Sequence, residues 1–196
     1  MQPMRHLFAS AHTVFRLRPE DTQGHPARSY LNLADQLRRW AHGSDTLEQQ
    51  LRELWRRMAF NALVGNVDDH PRNHGFLRDQ AEGTGWRLSP AFDVTPAGSR
   101  AHVPIEDGVP LLLATGADNR SMANKARLLA SAPHFDVDVA EAEGWLTRTA
   151  TQVAQRWDAM IREAAAPILG DVAQLSQLIA DVRPSFAYAE WLASQA

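Results

Sequence analysis

Two short stretches decide how this chain folds: FNALVGNVDDHPRNHGFL, residues 60–77, and WRLSPAFDVTP, residues 86–96. In the first, an apolar run passes directly into two carboxylates, an imidazole and an amide that fall within six residues. We interpret it as an apolar helix that forms a rigid platform for the polar loop behind it. Residues 75–78 and 86–88 are then predicted to pair as short strands across a turn at 79–85, whose composition is typical of hairpin turns.

The spacing of apolar residues predicts helices on both sides of these stretches. One helix is expected over residues 29–41. The next is expected to open at Asp45 with Glu48 three residues on, and to close near Gly65 and Asn66. Residues 102–114 are predicted to be irregular or weakly extended, because Pro104 and Pro110 disfavour a central strand. Three further helices are predicted over about 121–130, 137–165 and 171–182.

Pro184 is predicted to stop the last of these helices, and Ser185 to begin a short terminal one. The fold class expected from these elements is mainly α, and α+β overall, with a small β-hairpin next to the polar loop. With 196 residues and no low-complexity linker, the chain is predicted to form a single domain. Within it, the polar segment spans about 60–96 and a helical bundle spans about 118–194.

Composition excludes several classes of protein. The formal net charge is -3, so nothing attracts the whole molecule to nucleic acid or to an anionic membrane. Cysteine is absent, which excludes disulfides, thiol catalysis and cysteine-ligated zinc. No uncharged apolar run approaches the roughly 20 residues that span a bilayer, and basic residues interrupt the N-terminal stretch. We therefore expect a cytoplasmic protein without a membrane partner.

The polar loop has the spacing of a phosphoryl-transfer site. Asp68 and Asn73 are separated by four residues, as are the proton-accepting aspartate and the magnesium-binding asparagine of the kinase catalytic loop. Such a reaction needs a base for the hydroxyl nucleophile and hard oxygen ligands for Mg²⁺ on the phosphates. Asp93, which follows the predicted hairpin, is a candidate for the second metal carboxylate, although no glycine comes after it.

Other interpretations of the same residues stay open at this point. Asp68 and Asp93 can be turn residues, and Asp69 can be a cap or an ion-pair partner. His70 and His74 can order the backbone by hydrogen bonds, or can join Asp68 and Asp69 in a metal-dependent hydrolase. A third alternative is a noncatalytic module that binds a partner or nucleic acid through helical arginines, namely Arg38, Arg39, Arg52, Arg56 and Arg57, unless Glu48 and Glu53 pair with them.

Taken in order, residues 60–96 resemble the catalytic core of HipA-like serine/threonine kinases, the toxins of bacterial toxin–antitoxin pairs. Asp68, His70 and Asn73 match the first half of that family's pattern. The second half, a leucine-x-proline-x-aromatic-aspartate element, is matched by residues 88–93. The resemblance implies the helical C-terminal lobe of a protein-kinase-like fold.

The resemblance also implies roles for single residues. Asp68 would be the catalytic base, and His70 would support its loop. Asn73 and Asp93 would bind Mg²⁺ and, through it, the ATP co-substrate. The implied acceptor is a protein serine. The implied partner is a small HipB-like helix-turn-helix antitoxin, and DNA would be reached only through that antitoxin.

The chain departs from a complete kinase in one respect. No glycine-rich loop precedes Asp68, and Lys125, the only lysine among twenty basic residues, follows the polar segment. A kinase needs both features in the lobe that precedes the catalytic loop, to hold the ATP phosphates. We interpret the chain as a C-terminal lobe in one of three states: half of a split kinase completed by a protein that supplies the N-terminal lobe, a truncated remnant, or a lone lobe used as a binding module. Negligible kinase activity is predicted for the chain alone.

Overall fold

The computed structural model describes residues 6–41, 46–79, 85–97 and 103–195. Within these ranges the strands are β1 (His6–Ser10), β2 (Gly75–Asp79), β3 (Arg87–Leu88), β4 (Val109–Pro110) and β5 (Met122–Ala123). The α-helices of the same ranges are α1 (Ala11–Val14), α2 (Tyr30–Trp40), α3 (Leu47–Leu63), α4 (Lys125–Ser131), α5 (Val139–Leu169) and α6 (Val172–Ser194). The fold is mainly helical with two small antiparallel sheets, which confirms the predicted class.

The two helices predicted upstream of the polar loop are both present. The backbone N–H of Leu31 donates to the Ser29 hydroxyl at 3.1 Å, which caps the start of α2. Helix α3 begins after Thr46, while the predicted cap Asp45 lies outside the described residues. Both helices bury the apolar face that their spacing predicted.

Helix α3 is the centre of the core. Trp55 on this helix is fully buried, and its indole N–H donates to the Leu128 carbonyl at 3.0 Å. The Trp145 ring of α5 meets it edge-on, with ring centroids 5.6 Å apart. The main cluster of buried apolar residues extends from Ala11 to Leu192, so α3 is enclosed by both ends of the described chain.

The predicted hairpin is present and has one more strand than expected. Strand β2 pairs with β3, with Phe76 opposite Leu88, and residues 80–84 of the predicted turn lie outside the described residues. On its other edge β2 pairs with β1, from His6 opposite Asp79 to Ser10 opposite Gly75. The sequence analysis did not identify β1, because its residues lack a clear apolar alternation.

Residues 103–124 form a short irregular layer, as predicted for their first part. A single 3-10 turn, Ile105–Asp107, precedes β4, which pairs with β5 in a two-stranded ladder that tolerates Pro110. Because Met122 and Ala123 belong to β5, α4 starts later than predicted. The Asn124 side chain caps it by accepting from Arg127 N at 3.0 Å.

Helices α5 and α6 form a long antiparallel pair and contain the clearest error of the sequence analysis. Pro184 was predicted to stop a helix, yet α6 runs through it from Val172 to Ser194. Buried residues lie on both sides of the proline, including Ile179 and Phe186, and the Phe186 ring stacks on Trp157 at 4.6 Å between centroids. Packing along the whole helix outweighs the hydrogen bond that Pro184 cannot make.

No helix in the described ranges has both the length and the apolar character that crossing a bilayer requires.

The C-terminal end of α3 depends on Gly65. Gly170, at the end of α5, provides the matched control for testing this. Gly65 has a left-handed backbone (φ 60°), and a Cβ atom there would lie 2.5 Å from the Ser185 carbonyl oxygen of α6. Gly170 has the same backbone (φ 63°) but open space where its Cβ would be. We expect Gly170→Ala to lower the free energy of unfolding by about 1–2 kcal/mol through backbone strain alone.

We expect Gly65→Ala to cost about 1–3 kcal/mol more than Gly170→Ala, because it also forces α6 away from the end of α3. Urea unfolding of the two variants and the parent measures the difference. Equal losses for both variants would contradict the close contact between Gly65 and α6.

Candidate functional site

The loop that follows α3 holds the first two predicted site residues together. Asp68 is exposed, whereas Asn73, in the 3-10 turn Pro71–Asn73, is buried. The Asn73 amide donates to the backbone carbonyl of Asp68 at 3.2 Å, and its backbone N–H donates to His70 O at 2.9 Å. The amide nitrogen thus fixes the loop, and within the described residues the amide oxygen of Asn73 accepts no hydrogen bond.

The second carboxylate of the loop, Asp69, points inward and is only 1% exposed. One of its oxygens accepts a hydrogen bond from the Tyr30 hydroxyl, and the other lies 2.7 Å from His74 Nε2. Asn61 of α3 donates to the same Tyr30 hydroxyl at 2.9 Å. Asn66 donates in turn to the Asn61 side-chain oxygen at 3.1 Å. We refer to these five side chains as the buried network.

Burial raises the pKa of Tyr30 well above its usual value, and the negative charge of Asp69 acts in the same direction. The phenol therefore stays protonated and keeps donating to Asp69. A buried carboxylate is tolerated only when hydrogen bonds replace its lost hydration, and Tyr30 and His74 supply them. The buried network thus stabilises the backbone that presents the neighbouring Asp68 to solvent.

Asp93 lies on a second loop that meets the first at the end of α3. Its side chain is exposed and its backbone is left-handed (φ 55°), a conformation that aspartate tolerates better than most residues. Asn66 donates to the Asp93 carbonyl at 3.5 Å, and Ala97 N donates to Gly65 O at 3.2 Å. Two adjacent residues after α3 therefore hold the loop that carries Asp93.

A cavity of about 360 Å³ lies between these loops and helices α3 and α5. Asp69, Asn73 and His74 contribute its polar wall, and Phe92 and Trp145 contribute apolar walls. The remaining lining residues are Glu53, Arg56, Arg57, Phe60, Asn61, Asn66, Ala91 and Val94. Asp68 and Asp93 do not line it, so the two predicted carboxylates face open solvent beside the cavity.

The two histidines of the loop differ in their surroundings. His74 is buried and bonded to Asp69, which agrees with the backbone-ordering role that the sequence left open. His70 is half-buried, and its Nδ1 atom is buried without a hydrogen-bond partner. Within the described ranges, no group of three or more histidine, aspartate or glutamate side chains is arranged to share a metal ion. The hydrolase alternative therefore lacks its ligand cluster in this part of the chain.

Among the described residues, four of the five helical arginines considered for a binding module form ion pairs, and Arg39 is exposed without one. Arg52 lies 3.0 Å from Glu48 and 3.1 Å from Glu141, and Arg57 lies 2.8 Å from Glu53. Two more arginines of this set form ion pairs, Arg38 with Asp136 and Arg56 with Glu141. Lys125, which is not one of them, pairs with Glu143. Paired charges on a helix face are typical of a solvated surface.

Sequence analysis missed Tyr30, Asn61 and Asn66 as parts of the site. Tyr30 counted only as the start of an apolar helix, and its partner Asp69 lies 39 positions away. The one available signal was Asn61, an amide at a position of α3 that the apolar spacing places in the core.

The comparisons with known proteins agree with this geometry. The family model described as "HipA-like C-terminal domain" matches residues 2–165. A solved structure of HipA from Shewanella oneidensis MR-1, in a toxin–antitoxin complex with HipB and its operator DNA, has a similar fold with a TM-score of 0.64. It is 16% identical in sequence; the similarity covers 95% of this chain and 44% of the Shewanella protein, so the chain spans less than half of that relative's length.

No curated protein sequence matches the chain. The family model alone covers far more than half of its residues, and the fold similarity includes the segment from α3 to Asp93 on which the resemblance to HipA-like kinases rested. The chain belongs to the family of HipA-like C-terminal domains.

Proposed function

We propose that this chain is the C-terminal lobe of a HipA-like serine/threonine kinase. Joined to an N-terminal nucleotide-binding lobe, it would transfer the γ-phosphate of ATP to a protein serine. The observation that carries the proposal is the convergence of two loops at the end of α3. The Asp68 loop is tied through Asn73, and the Asp93 loop is tied through Asn66.

Asp68 would act as the catalytic base. Its carboxylate is exposed, so a substrate hydroxyl can approach it, and the Asn73 amide holds its backbone carbonyl. A carboxylate in hydrogen-bond reach of the hydroxyl accepts its proton as the bond to phosphorus forms. His70, two residues on, would support the loop.

Asn73 and Asp93 would hold Mg²⁺. The fit rests on donor chemistry: Asp93 offers an exposed carboxylate, and Asn73 offers an amide oxygen that accepts no hydrogen bond from the described residues. Mg²⁺ prefers one or two such oxygens and completes its shell with water and substrate phosphates. When bound, the ion neutralises charge that develops on the phosphates.

Asp69 would be a positioning residue. It does not face the reacting groups. Through Tyr30 and His74 it anchors the loop between α2 and β2, so that Asp68 is presented in one geometry.

The ATP phosphates would be clamped by a second lobe. Lys125 pairs with Glu143 at 2.6 Å and does not line the cavity between the loops, so it is not placed to serve as the phosphate-binding lysine. The Shewanella relative is more than twice as long as the part matched here. A polypeptide that carries a glycine-rich loop and a lysine would complete the site in this protein.

A HipB-like helix-turn-helix antitoxin is the partner that we propose. The Shewanella HipA structure contains HipB and operator DNA. By analogy, this chain would reach DNA only through such an antitoxin, in keeping with its negative net charge and its paired arginines.

The alternative is a noncatalytic partner-binding module that descends from such a kinase. It shares the fold and predicts neither metal binding at Asp93 nor phosphoryl transfer in any complex. The experiments below separate it from the kinase proposal.

Metal binding is the first test. We expect Mn²⁺, a paramagnetic substitute for Mg²⁺, to bind weakly and to broaden the amide signals of residues 68–73 and 93 in NMR spectra. Asp93→Asn should weaken Mn²⁺ binding by about tenfold or more. Even the loss of a residue that only supports a metal ligand has an effect of about this size. Asp158→Asn, which removes an exposed carboxylate paired with Arg162 on α5, is the matched control and should change little. Equal effects of both variants would contradict the assigned ligand.

Phosphate transfer is the second test. The purified chain should transfer negligible label from ATP, because half of the nucleotide site is missing from it. Together with a polypeptide that supplies the N-terminal lobe it should phosphorylate a protein serine, and Asp68→Ala should lower that rate by about 10²–10⁴-fold. Activity of the isolated chain that Asp68→Ala abolishes would refute the need for a second lobe. Inactivity of every complex would favour the noncatalytic alternative.

The buried network gives a third test through stability and pH. Tyr30→Phe should lower the free energy of unfolding by about 1–3 kcal/mol at neutral pH, because it leaves the buried Asp69 carboxylate one donor short. The folded-state pKa of Tyr30 is raised, so its contribution is complete below the unfolded pKa of about 10 and declines as pH rises above that value.

Urea unfolding at neutral pH and above about pH 10 measures both effects. The difference in the free energy of unfolding between the parent and Tyr30→Phe should become smaller in the alkaline range. Tyr188→Phe is the control, since that hydroxyl is buried but bonds no carboxylate, and it should cost less at neutral pH. Tyr30→Phe that is as stable as the parent would contradict the anchoring role of Asp69.

A further inference from the structure

Four basic residues lie beside the loop that carries Asp68: Arg72 contacts His12, and Arg28 and His70 are near enough to act on the His12 ring. His12 lies on α1, Arg28 precedes α2, and His70 and Arg72 lie in the loop itself between Asp68 and Asn73. We refer to His12, Arg28, His70 and Arg72 as the basic cluster. The Arg72 guanidinium lies 3.1 Å from His12 Nε2.

The backbone brings these residues together from distant parts of the sequence. Ala11 N at the start of α1 donates to the His74 carbonyl at 2.8 Å, which fixes α1 against the 3-10 turn that carries Arg72. Arg28 is half-buried, and its guanidinium donates to the Asp21 backbone carbonyl at 3.2 Å. The cluster is therefore built into the fold.

The cluster lacks the acidic partners that other basic residues of this chain have. In the described ranges, none of its four members forms an ion pair with a carboxylate. Elsewhere Arg127 contacts both oxygens of Asp118, and Arg162 contacts both oxygens of Asp158. Positive charge at the basic cluster is thus uncompensated within the described structure.

The electrostatics of His12 agree with this arrangement. Burial lowers the pKa of His12, and Arg72, Arg28 and His70 lower it further, in that order. Every charged group that acts on His12 is basic. In addition, two nitrogens of the cluster, Arg28 Nε and His70 Nδ1, are buried without a hydrogen-bond partner. The positive charge gathered here and the two unpaired nitrogens cost free energy that a bound anion would offset.

We propose that the basic cluster is a binding site for a phosphate group at the edge of the catalytic loop. The planar guanidinium of arginine donates two parallel hydrogen bonds to phosphate oxygens, and the ring N–H groups of His12 and His70 each offer one further donor. Phosphate binding at the cluster does not depend on the proposed function. Only the role of the bound phosphate rests on that proposal, because the phosphate would lie next to Asp68.

The site is distinct from the cavity described above. That cavity is lined by Asp69, Asn73 and His74 of the loop, and by none of the four cluster residues. A phosphate at the basic cluster has two possible sources: the phosphates of the nucleotide, or a phosphorylated side chain of a protein segment that lies across the loop. Both present the same oxyanion.

Inorganic phosphate is the probe for the site. Added to the full chain at constant ionic strength, it should shift the NMR signals of His12 and of the amides around Arg72 in a saturable manner. Arg72→Gln should weaken this binding about tenfold or more, the effect of losing one charge-assisted hydrogen bond. Arg72 is exposed, so this variant tests the site even if Arg28→Gln fails to fold.

Arg156→Gln is the matched control. Arg156 is an exposed arginine on α5 that does not belong to the basic cluster, and it forms no ion pair with the described residues. Its replacement removes the same charge and should change phosphate affinity less than twofold. Equal weakening by Arg72→Gln and Arg156→Gln would reduce the effect to general charge attraction and overturn the proposal, as would the absence of saturable shifts in the parent chain.

Two competitors identify the source of the phosphate. Displacement of inorganic phosphate by ADP with Mg²⁺, and not by O-phosphoserine, would uphold the site and assign it to the nucleotide. Displacement by O-phosphoserine while ADP and Mg²⁺ are present would uphold it and assign it to a phosphorylated residue. Phosphate binding is measured without metal, so its failure leaves the Mn²⁺ result at Asp93 untouched, and the proposed function is tested separately.

Discussion

The geometry of the site depends on one buried charge, the carboxylate of Asp69. An ionised carboxylate that is 1% exposed is tolerated only if hydrogen bonds replace water on both of its oxygens. Tyr30 and His74 supply them from α2 and from the residue before β2, so the loop must pass between these two elements. Any conformation that frees the loop leaves the charge buried and unpaired, or exposes the core beneath it. This constraint gives the loop one backbone path, and Asp68 and Asn73 take their positions from it.

The same hydrogen bonds reach the second loop. Asn61 links Tyr30 to Asn66, and Asn66 reaches the carbonyl of Asp93. An amide suits this task because it donates and accepts at once without adding charge to the core. Asp68 and Asp93 are separated by twenty-five positions in the sequence, yet the loops that carry them are both positioned by the last turn of α3. Helix α3 can act as this reference because it is buried on most sides, with Trp55 bonded across the core to Leu128.

Local rules predicted the elements whose stability is mostly local, and failed where distant contacts decide. The apolar spacing of α2 and α3, and the pairing of β2 with β3, follow from neighbouring residues, so they could be predicted. Strand β1 has no such pattern and is stabilised by the edge of β2, about seventy positions away. The proline rule failed at Pro184 for the same reason, since its cost is local while the burial of Phe186 and Tyr188 is tertiary. In the site, the sequence presents Asp68 and Asp69 as equal neighbours, and only the distant Tyr30 determines which of them turns inward.

The difference in exposure between these two aspartates also bears on the proposed second lobe. In bulk water the interaction of two unit charges 4 Å apart is about 1 kcal/mol, and it rises severalfold once water is excluded. Asp68 and Asp93 face solvent here, so charge near them is screened, and a cation at the proposed site would have few protein ligands. A covering lobe would remove that water and add phosphate ligands on the same side, which strengthens every interaction of these two carboxylates at once. Asp69 needs no such cover, because the fold has already desolvated it. The fold by itself thus positions the loop that carries Asp68, and in the proposed kinase the exclusion of water would come from the lobe that covers this loop.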